Sequence, residues 1–431
     1  MKKVTMFVWN HFTNDARVMR EGMALSENGY DVNLIAIENR KDPRAQAFES
    51  INDRFRVHRV PMYPWLLEVY QNNKKEFVIS VAGVTTVVAP ALFYKSWLLM
   101  STYFLFLGLV YGVVKNSSAR RNMIKLVRSM KMIIKGYRQN ADIYHSNDLN
   151  TLTQGVICSK LRFRPKKLVY DSHEVQTDRT GYNPKIIERW EGALLPFVDE
   201  TLVENHTRAK KHEELYGYYP HTLYNYSELY DIENKPKKNL HEELGLLADE
   251  KILLYQGGVQ PGRGLELLVE MMPMVDEGAL VFLGDGRQKK ELEEMVRERG
   301  LEDRVRFVPK VHLSELPSYT RNAYLGFQVL QNVNYNHYSA SSNKLFEYIM
   351  AHVPVISCDF PEIRNVVEGE AVGLSIDAGD PGNIAKAVNR LVEDETLRET
   401  FSNNCKSAKY KYNWDIEKEK LLNVYDKLSE E

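Results

Sequence analysis

The chain has 431 residues, enough for two to three domains that each bury a core of their own. Its 57 Lys and Arg stand against 58 Asp and Glu, so no global field gathers nucleic acid or an acidic partner, and a charged ligand has to be recognised by local groups. The three cysteines, Cys158, Cys358 and Cys405, are odd in number, far apart and without CxxC spacing; this argues against a disulfide framework or a zinc site and fits a reducing cytoplasm.

In chain order, the basic start MKKVTMFVWN has too brief an apolar run for a signal peptide and reads as a first strand over 4–9. DVNLIAIE at 31–38 is the second. Residues 77–114 then run FVISVAGVTTVVAPALFYKSWLLMSTYFLFLGLVYGVV, with Lys95 as the single charge. Nineteen of them approach the roughly 20 residues that span a bilayer. Both flanks belong to one α/β domain, which excludes a single crossing; a re-entrant hairpin bent near Pro90, or a helix pair at the surface, satisfies this constraint. From Lys115 to Arg138 come eight basic residues and no acidic one. Helical spacing puts Met123, Val127, Met130, Ile134 and Tyr137 on one face and Arg121, Lys125, Arg128 and Lys135 on the other, the pattern of attachment to an anionic cytoplasmic leaflet. A buried hairpin or oligomer contact with a solvated basic face is the alternative.

Strands resume at ADIYHS (141–146), KLVYDS (167–172) and ETLVE (200–204). HSND at 145–148 and DSHE at 171–174 end two of them and offer His145, Asn147, Asp148, Asp171, His173 and Glu174 for acceptor chemistry; strand-end caps and core hydrogen bonds would explain them as well. After Asn225 a polar, Lys- and Pro-containing stretch reads as a linker. The alternation then restarts with KILLYQGG, ALVFLGDG, RVRFVP, YLGFQVL, VPVISCD and VGLSID, so the chain reads as two doubly wound parallel α/β domains. The glycines of YQGGVQPGRG allow close approach to a phosphate, and Arg263 adds charge. In SSNKLFEYIMAHVPVIS, Glu347 sits on a helix that is apolar almost all round, so its carboxylate needs a protein or ligand partner. The tail, NWDIEKEKLLNVYDKLSEE, is an amphipathic helix.

Taken in order, DARVMREGMALSENGYDV, ADIYHSNDLNTL, LVYDSHE, YQGGVQPGRGLELL, FLGDGRQKKELEEM, DRVRFVPKV and SNKLFEYIMAHVPVIS resemble the GT-B retaining glycosyltransferases of family 4. The resemblance implies two Rossmann-like domains facing a central cleft: residues 1–227 for the acceptor, residues 228–408 for a nucleoside-diphosphate sugar, and 409–431 as a C-terminal helix crossing back; the membrane-association insertion at 77–138 of the first domain is unlike a soluble member of this fold. It implies a UDP-sugar as donor, no cofactor and no metal; the apolar insertion and the basic helix, rather than the resemblance, point to the cytoplasmic face of the cell membrane, with the chain peripheral or monotopic there, and so to a lipid-linked or saccharide acceptor. Donor binding is expected from Gly257, Gly258, Arg263, Gly284, Asp285, Gly286, Val308, Ser342, Asn343, Lys344, Leu345 and Glu347, with Glu347 on the ribose diol. Asp148, His173, Glu174, Arg263 and Lys344 are the catalytic candidates, and Asn10, His145, Asn147 and Asp148 the acceptor-side ones. The chain departs from the family at Ser339, where relatives often have a second glutamate, at Gly258, where they often have a basic residue, at Asn147, where several have a histidine, and at His352, where they have a glycine. These departures keep open a non-catalytic partner subunit, and the shared fold keeps open a nucleotide-sugar epimerase.

Overall fold

The computed structural model describes residues 1–39, 42–43, 45–179 and 181–430. Short apolar runs pair side by side, as expected of strands buried on both faces. The first sheet contains β1 (Lys3–Phe7), β2 (Asp31–Ile37), β3 (Phe48–Ser50), β4 (Phe55–Val60), β5 (Ile143–Asn147), β6 (Lys167–Ser172), β7 (Glu200–Val203) and β8 (His221–Thr222), in the order β3-β4-β2-β1-β5-β6-β7-β8. Its described pairings are parallel except β3 on β4. The second holds β9 (Ile252–Gln256), β10 (Ala279–Leu283), β11 (Val305–Val308), β12 (Leu325–Gln328), β13 (Val355–Cys358) and β14 (Gly373–Ile376), all parallel, in the order β11-β10-β9-β12-β13-β14. Among the parallel strands the orders reverse at β1/β5 and at β9/β12. Ligands of doubly wound sheets bind beyond the strand ends at such a reversal.

The chain forms two compact units. One comprises Met1–Asp171, Glu191–Thr201 and the terminus from Leu428; the other comprises Ser172–Trp190 and Leu202–Lys427. The C-terminal helix Trp414–Glu430 therefore ends in the first unit, where the Lys2 ammonium donates to the Ser429 carbonyl and Tyr30 Oη lies 3.2 Å from Ser429 Oγ. Three strands escape the sequence reading: the short β3 and β8, and β4, the last because FRVHRV hides its alternation behind two arginines and a histidine. The stretch after Asn225 is not a free linker. Tyr226, Ile232 and Leu240 are buried in the core of the second unit, with Tyr226 edge-on to Phe346 at 4.4 Å.

The apolar insertion forms two helices, Lys74–Lys95 and Trp97–Lys115, followed by the basic helix Ser117–Gln139. The bend expected at Pro90 lies instead at Ser96. Pro90 is inside the first helix, whereas Ser96 is extended (φ −172°, ψ 129°) and its hydroxyl accepts the Leu98 N–H, which restarts the helix. The basic helix is also less open than its charge pattern suggests: Arg128 donates to the Met62 carbonyl at 3.0 Å and Lys131 to that of Tyr63 at 3.1 Å. The arginine also stacks 5.2 Å from the centre of Trp9.

Candidate donor site in the second unit

A cavity of about 510 Å³ lies at the β9/β12 reversal, within the size range of nucleotide and cofactor sites. Its wall comes from the turn after β9 (Gln256, Gly257, Gly258, Arg263), the segment 336–343, the helix Asn343–Met350 through Lys344 and Glu347, and the segment with His173 and Glu174. His173 and Glu174 belong to the second unit because Asn336 pins their segment: its side chain accepts the Val175 N–H at 2.7 Å and donates to the Val175 carbonyl at 3.1 Å. Glu174 Oε2 pairs with Arg179 Nε at 3.0 Å.

The helix Asn343–Met350 buries Leu345, Phe346, Tyr348, Ile349 and Met350, as its apolar pattern requires, and turns Lys344 and Glu347 to the cavity. Ser342 makes no side-chain cap and the first turn carries no acid, so the helix start is left to favour an anion. Lys344 is only 6% exposed, and its Nζ donates to Tyr255 Oη at 3.3 Å and stands 4.4 Å from the ring centre. Burial first, and then the charge of Arg263, push its pKa well below that of an ordinary lysine, while Glu347 opposes them. The same burial raises the Tyr255 phenol to about 12. Two cations converge here with no carboxylate hydrogen-bonded to the buried one among the described residues, an arrangement that takes an anion from the cavity.

The partner of Glu347 is in part Gln256, whose amide donates to Glu347 Oε2 at 2.7 Å and accepts from Thr320 Oγ1 at 2.8 Å. A neutral amide thus fixes the carboxylate without cancelling its charge, and two acceptor oxygens suit a vicinal diol. Gln256 and Thr320 escaped the sequence reading because a polar residue closing an apolar strand or a one-turn helix gives no periodic signal. Replacing Gln256 by Leu is expected to weaken nucleoside diphosphate binding about tenfold, the value of one well-placed hydrogen bond, while leaving pyrophosphate affinity unchanged in the same titration.

The Ser339 departure has a structural counterpart. Ser339 is fully buried; its carbonyl accepts from Asn205 at 2.8 Å and its Oγ from Arg208 Nε at 3.3 Å. Arg208 is further held by Glu204 and by the carbonyls of His173 and Asn336. His337 instead lines the cavity. Its Nδ1 faces the carbonyls of Gly262 and Gln331 at 3.1 and 3.2 Å, which leaves Nε2 as the ring acceptor, and burial and Arg263 lower its pKa.

Of the donor residues expected from the sequence, Gly257, Gly258, Arg263, Ser342, Asn343, Lys344 and Glu347 line the cavity; Gly284, Asp285, Gly286, Val308 and Leu345 do not. Val308 and Leu345 are core residues. Gly284 answers to its neighbour: at φ +155° a Cβ there would stand 1.9 Å from the Gly257 carbonyl oxygen. The two loops run on as a ladder, Gly257 N–H to Leu283 and Val259 N–H to Asp285. His352, in the glycine position of relatives, adopts φ +59° just past the helix end, the left-handed turn that glycine takes without strain.

In the first unit, His145 and Asn147 are buried in β5. Asn147 donates to the Phe7 carbonyl at 3.0 Å, and His145 Nε2 is 3.8 Å from Glu21. Glu21, His145 and Asp171 bring ligand atoms within 4.8 Å of one another, but a cation already sits among them: Arg17 grips both oxygens of Asp171, at 2.7 and 2.9 Å, and lies 3.0 Å from Glu21. Asn10 organises the loop after β1, donating to Asp15 and accepting from Phe12 N–H. Asp148 has φ 62° and ψ 160°, a region essentially reserved for glycine and worth about 1–3 kcal/mol of strain, where functional residues collect. Its N–H is held by the Asp171 carbonyl at 2.8 Å.

Two Rossmann-like units with parallel sheets define the GT-B fold class. Residues 236–408 carry a domain of the family described as glycosyl transferases group 1. An uncharacterized glycosyltransferase of Methanocaldococcus jannaschii is 28% identical over 193 residues, 44% of this chain and 48% of that protein. A lipopolysaccharide core biosynthesis glycosyltransferase of Rhizobium meliloti is 30% identical over 158 residues, 36% and 43%. The chain thus spans about half the length of the curated relatives it matches. The Anabaena protein HepE, solved in complex with UDP, superposes with a TM-score of 0.68 at 13% identity, covering 99% of this chain and 100% of that one.

Proposed function

We propose that the protein is a membrane-associated, retaining glycosyltransferase that moves a sugar from a UDP-sugar to a hydroxyl of a lipid-linked or polysaccharide acceptor at the cytoplasmic face of the cell membrane. One observation carries the reading: a single cavity holds Lys344, Arg263 and an uncapped helix start for a diphosphate, and the Gln256-braced Glu347 for a ribose diol. The rhizobial relative, named for lipopolysaccharide core synthesis, and HepE, solved with UDP, support the acceptor and donor classes.

In this scheme the acceptor oxygen bonds to the anomeric carbon on the face that the diphosphate leaves, and the acceptor proton passes to a diphosphate oxygen. Configuration is retained without a carboxylate nucleophile, and the developing phosphate charge falls on Arg263, Lys344 and the helix start, with no metal or cofactor required. Asp148 serves the acceptor side, where its strained backbone fixes the carboxylate; His173 and Glu174 orient groups at the cavity wall.

The test is turnover. The full chain is incubated with UDP-sugars and a membrane lipid extract, and free UDP and lipid-borne sugar are measured. Equal release of UDP and gain of glycolipid is expected. Binding without turnover would favour a non-catalytic subunit, and a free epimerised donor would favour an epimerase. In parallel, Glu347→Ala and Arg263→Ala should each weaken donor binding; unchanged affinity in both removes the site assignment.

A further inference from the structure

We infer that the apolar hairpin crosses the bilayer twice, with the turn at Lys95–Trp97 on the far side and both helix bases on the near side. The inference rests on the membrane-attachment reading above and deepens it from attachment to topology.

Length is the first argument. The two helices have 22 and 19 residues, about 33 and about 28 Å at 1.5 Å per residue, against a hydrocarbon core of about 30 Å. A helix pair lying on the surface has no reason to match that thickness.

Exposure is the second. No residue of Lys74–Lys95 is buried, and its exposed Val78, Ile79, Val84, Val87 and Phe93 spread over about 240° of the helix at 100° per residue, the remaining side, with Val81, Thr85 and Val88, resting half-buried against the second helix. A protein partner would cover one side, whereas lipid covers every side. Five of the hydroxyls inside the hairpin are satisfied without water. Thr85, Thr86, Ser101 and Thr102 donate to carbonyls one turn back at 2.8 to 3.0 Å, and Thr85 Oγ1 meets Tyr103 Oη across the pair at 3.0 Å. Hydrocarbon demands this internal pairing.

The flanks orient the hairpin. Its base carries Lys74, Lys75, Lys115, Arg120 and Arg121, while the turn carries Lys95 beside the exposed aromatics Tyr94 and Trp97. A cation excess at the base and an aromatic girdle at the turn place the base in the cytoplasm and the turn at the opposite interface.

The next helix completes the geometry. Ser117–Gln139 leaves the Trp97–Gly112 segment at 99°, so a hairpin along the membrane normal lays this helix in the interface plane. One side of it packs on the first sheet through Met132 and Gly136. Another side exposes Leu126, Met130, Ile134 and Tyr137 at steps of four, four and three, flanked by Lys125 and Arg138. Beside Tyr137 the loop places Arg162 3.8 Å from the ring centre and leaves Phe163 fully exposed. An apolar stripe edged with cations is the surface that rests among anionic headgroups.

The experiment uses the full chain in intact cells. The native cysteines are buried, so a membrane-impermeant maleimide meets only an introduced thiol. Lys95→Cys is expected to label in intact cells and Lys75→Cys only after lysis, with the protein retained in membranes after alkaline carbonate washing. Failure of Lys95→Cys to label in intact cells, with the protein still membrane-bound, overturns the two crossings and leaves attachment standing. Release by carbonate overturns attachment and the inference with it.

Discussion

Lys344→Met is expected to lower nucleoside diphosphate affinity by about 10- to 100-fold while raising the stability of the folded chain. The loss is that of a charge-assisted contact to phosphate, about 1.5–3 kcal/mol. The gain follows because a buried ammonium whose hydrogen-bond partner is a phenol is desolvated at a cost that methionine avoids, and such replacements are neutral or stabilising by about 1–4 kcal/mol. A purely structural lysine would show the opposite sign in stability.

The same group sets a pH dependence. Its folded-state pKa is depressed by burial and by Arg263 below the ordinary 10.5, so between the two values the unfolded chain binds more protons than the native one. The penalty is therefore full below the folded pKa and is relieved as pH rises through it toward the unfolded value. A bound diphosphate favours the ammonium, so binding takes up a proton in that window and affinity falls as pH rises. Calorimetry in buffers of different ionisation enthalpy measures the uptake, and Lys344→Met should abolish it.

The second large effect is expected at Arg17. Its guanidinium is 6% exposed and is the cation between Asp171 and Glu21, both fully buried. Arg17→Met leaves two buried carboxylates facing each other and should cost about 3–5 kcal/mol, read as a lower denaturant midpoint with unchanged slope. Arg17→Lys should recover only part, because a lysine lacks the fork that holds both Asp171 oxygens. In the proposed scheme the change reaches the acceptor side through Asp148, whose backbone N–H is held by the Asp171 carbonyl.

What the sequence made legible follows from its physics. Both sheets could be read because strands buried on both faces are continuous apolar runs, as at β9 and β10. That Arg263, Lys344 and Glu347 share a cavity could be anticipated because charged residues stand out against glycine-rich or apolar surroundings. Other features depended on residues distant in the chain. Gly284 looked like a phosphate glycine, but its lack of a Cβ is required by the backbone of residue 257. Pro90 looked like the hairpin bend, but the helix absorbs it and Ser96 supplies the turn. Asn147 and His145 looked like cleft residues, but they are held within β5. Gln256, Thr320 and Asn336 carry no sequence signature because each acts through a partner more than 60 positions away.

The most direct measurement is a calorimetric titration of UDP into the wild-type chain, Lys344→Met and Glu347→Ala, each verified as folded. The account predicts saturable one-site binding to the wild type, with proton uptake, and binding at least tenfold weaker in both variants. Equal affinity in all three would contradict a donor site in the second unit's cavity.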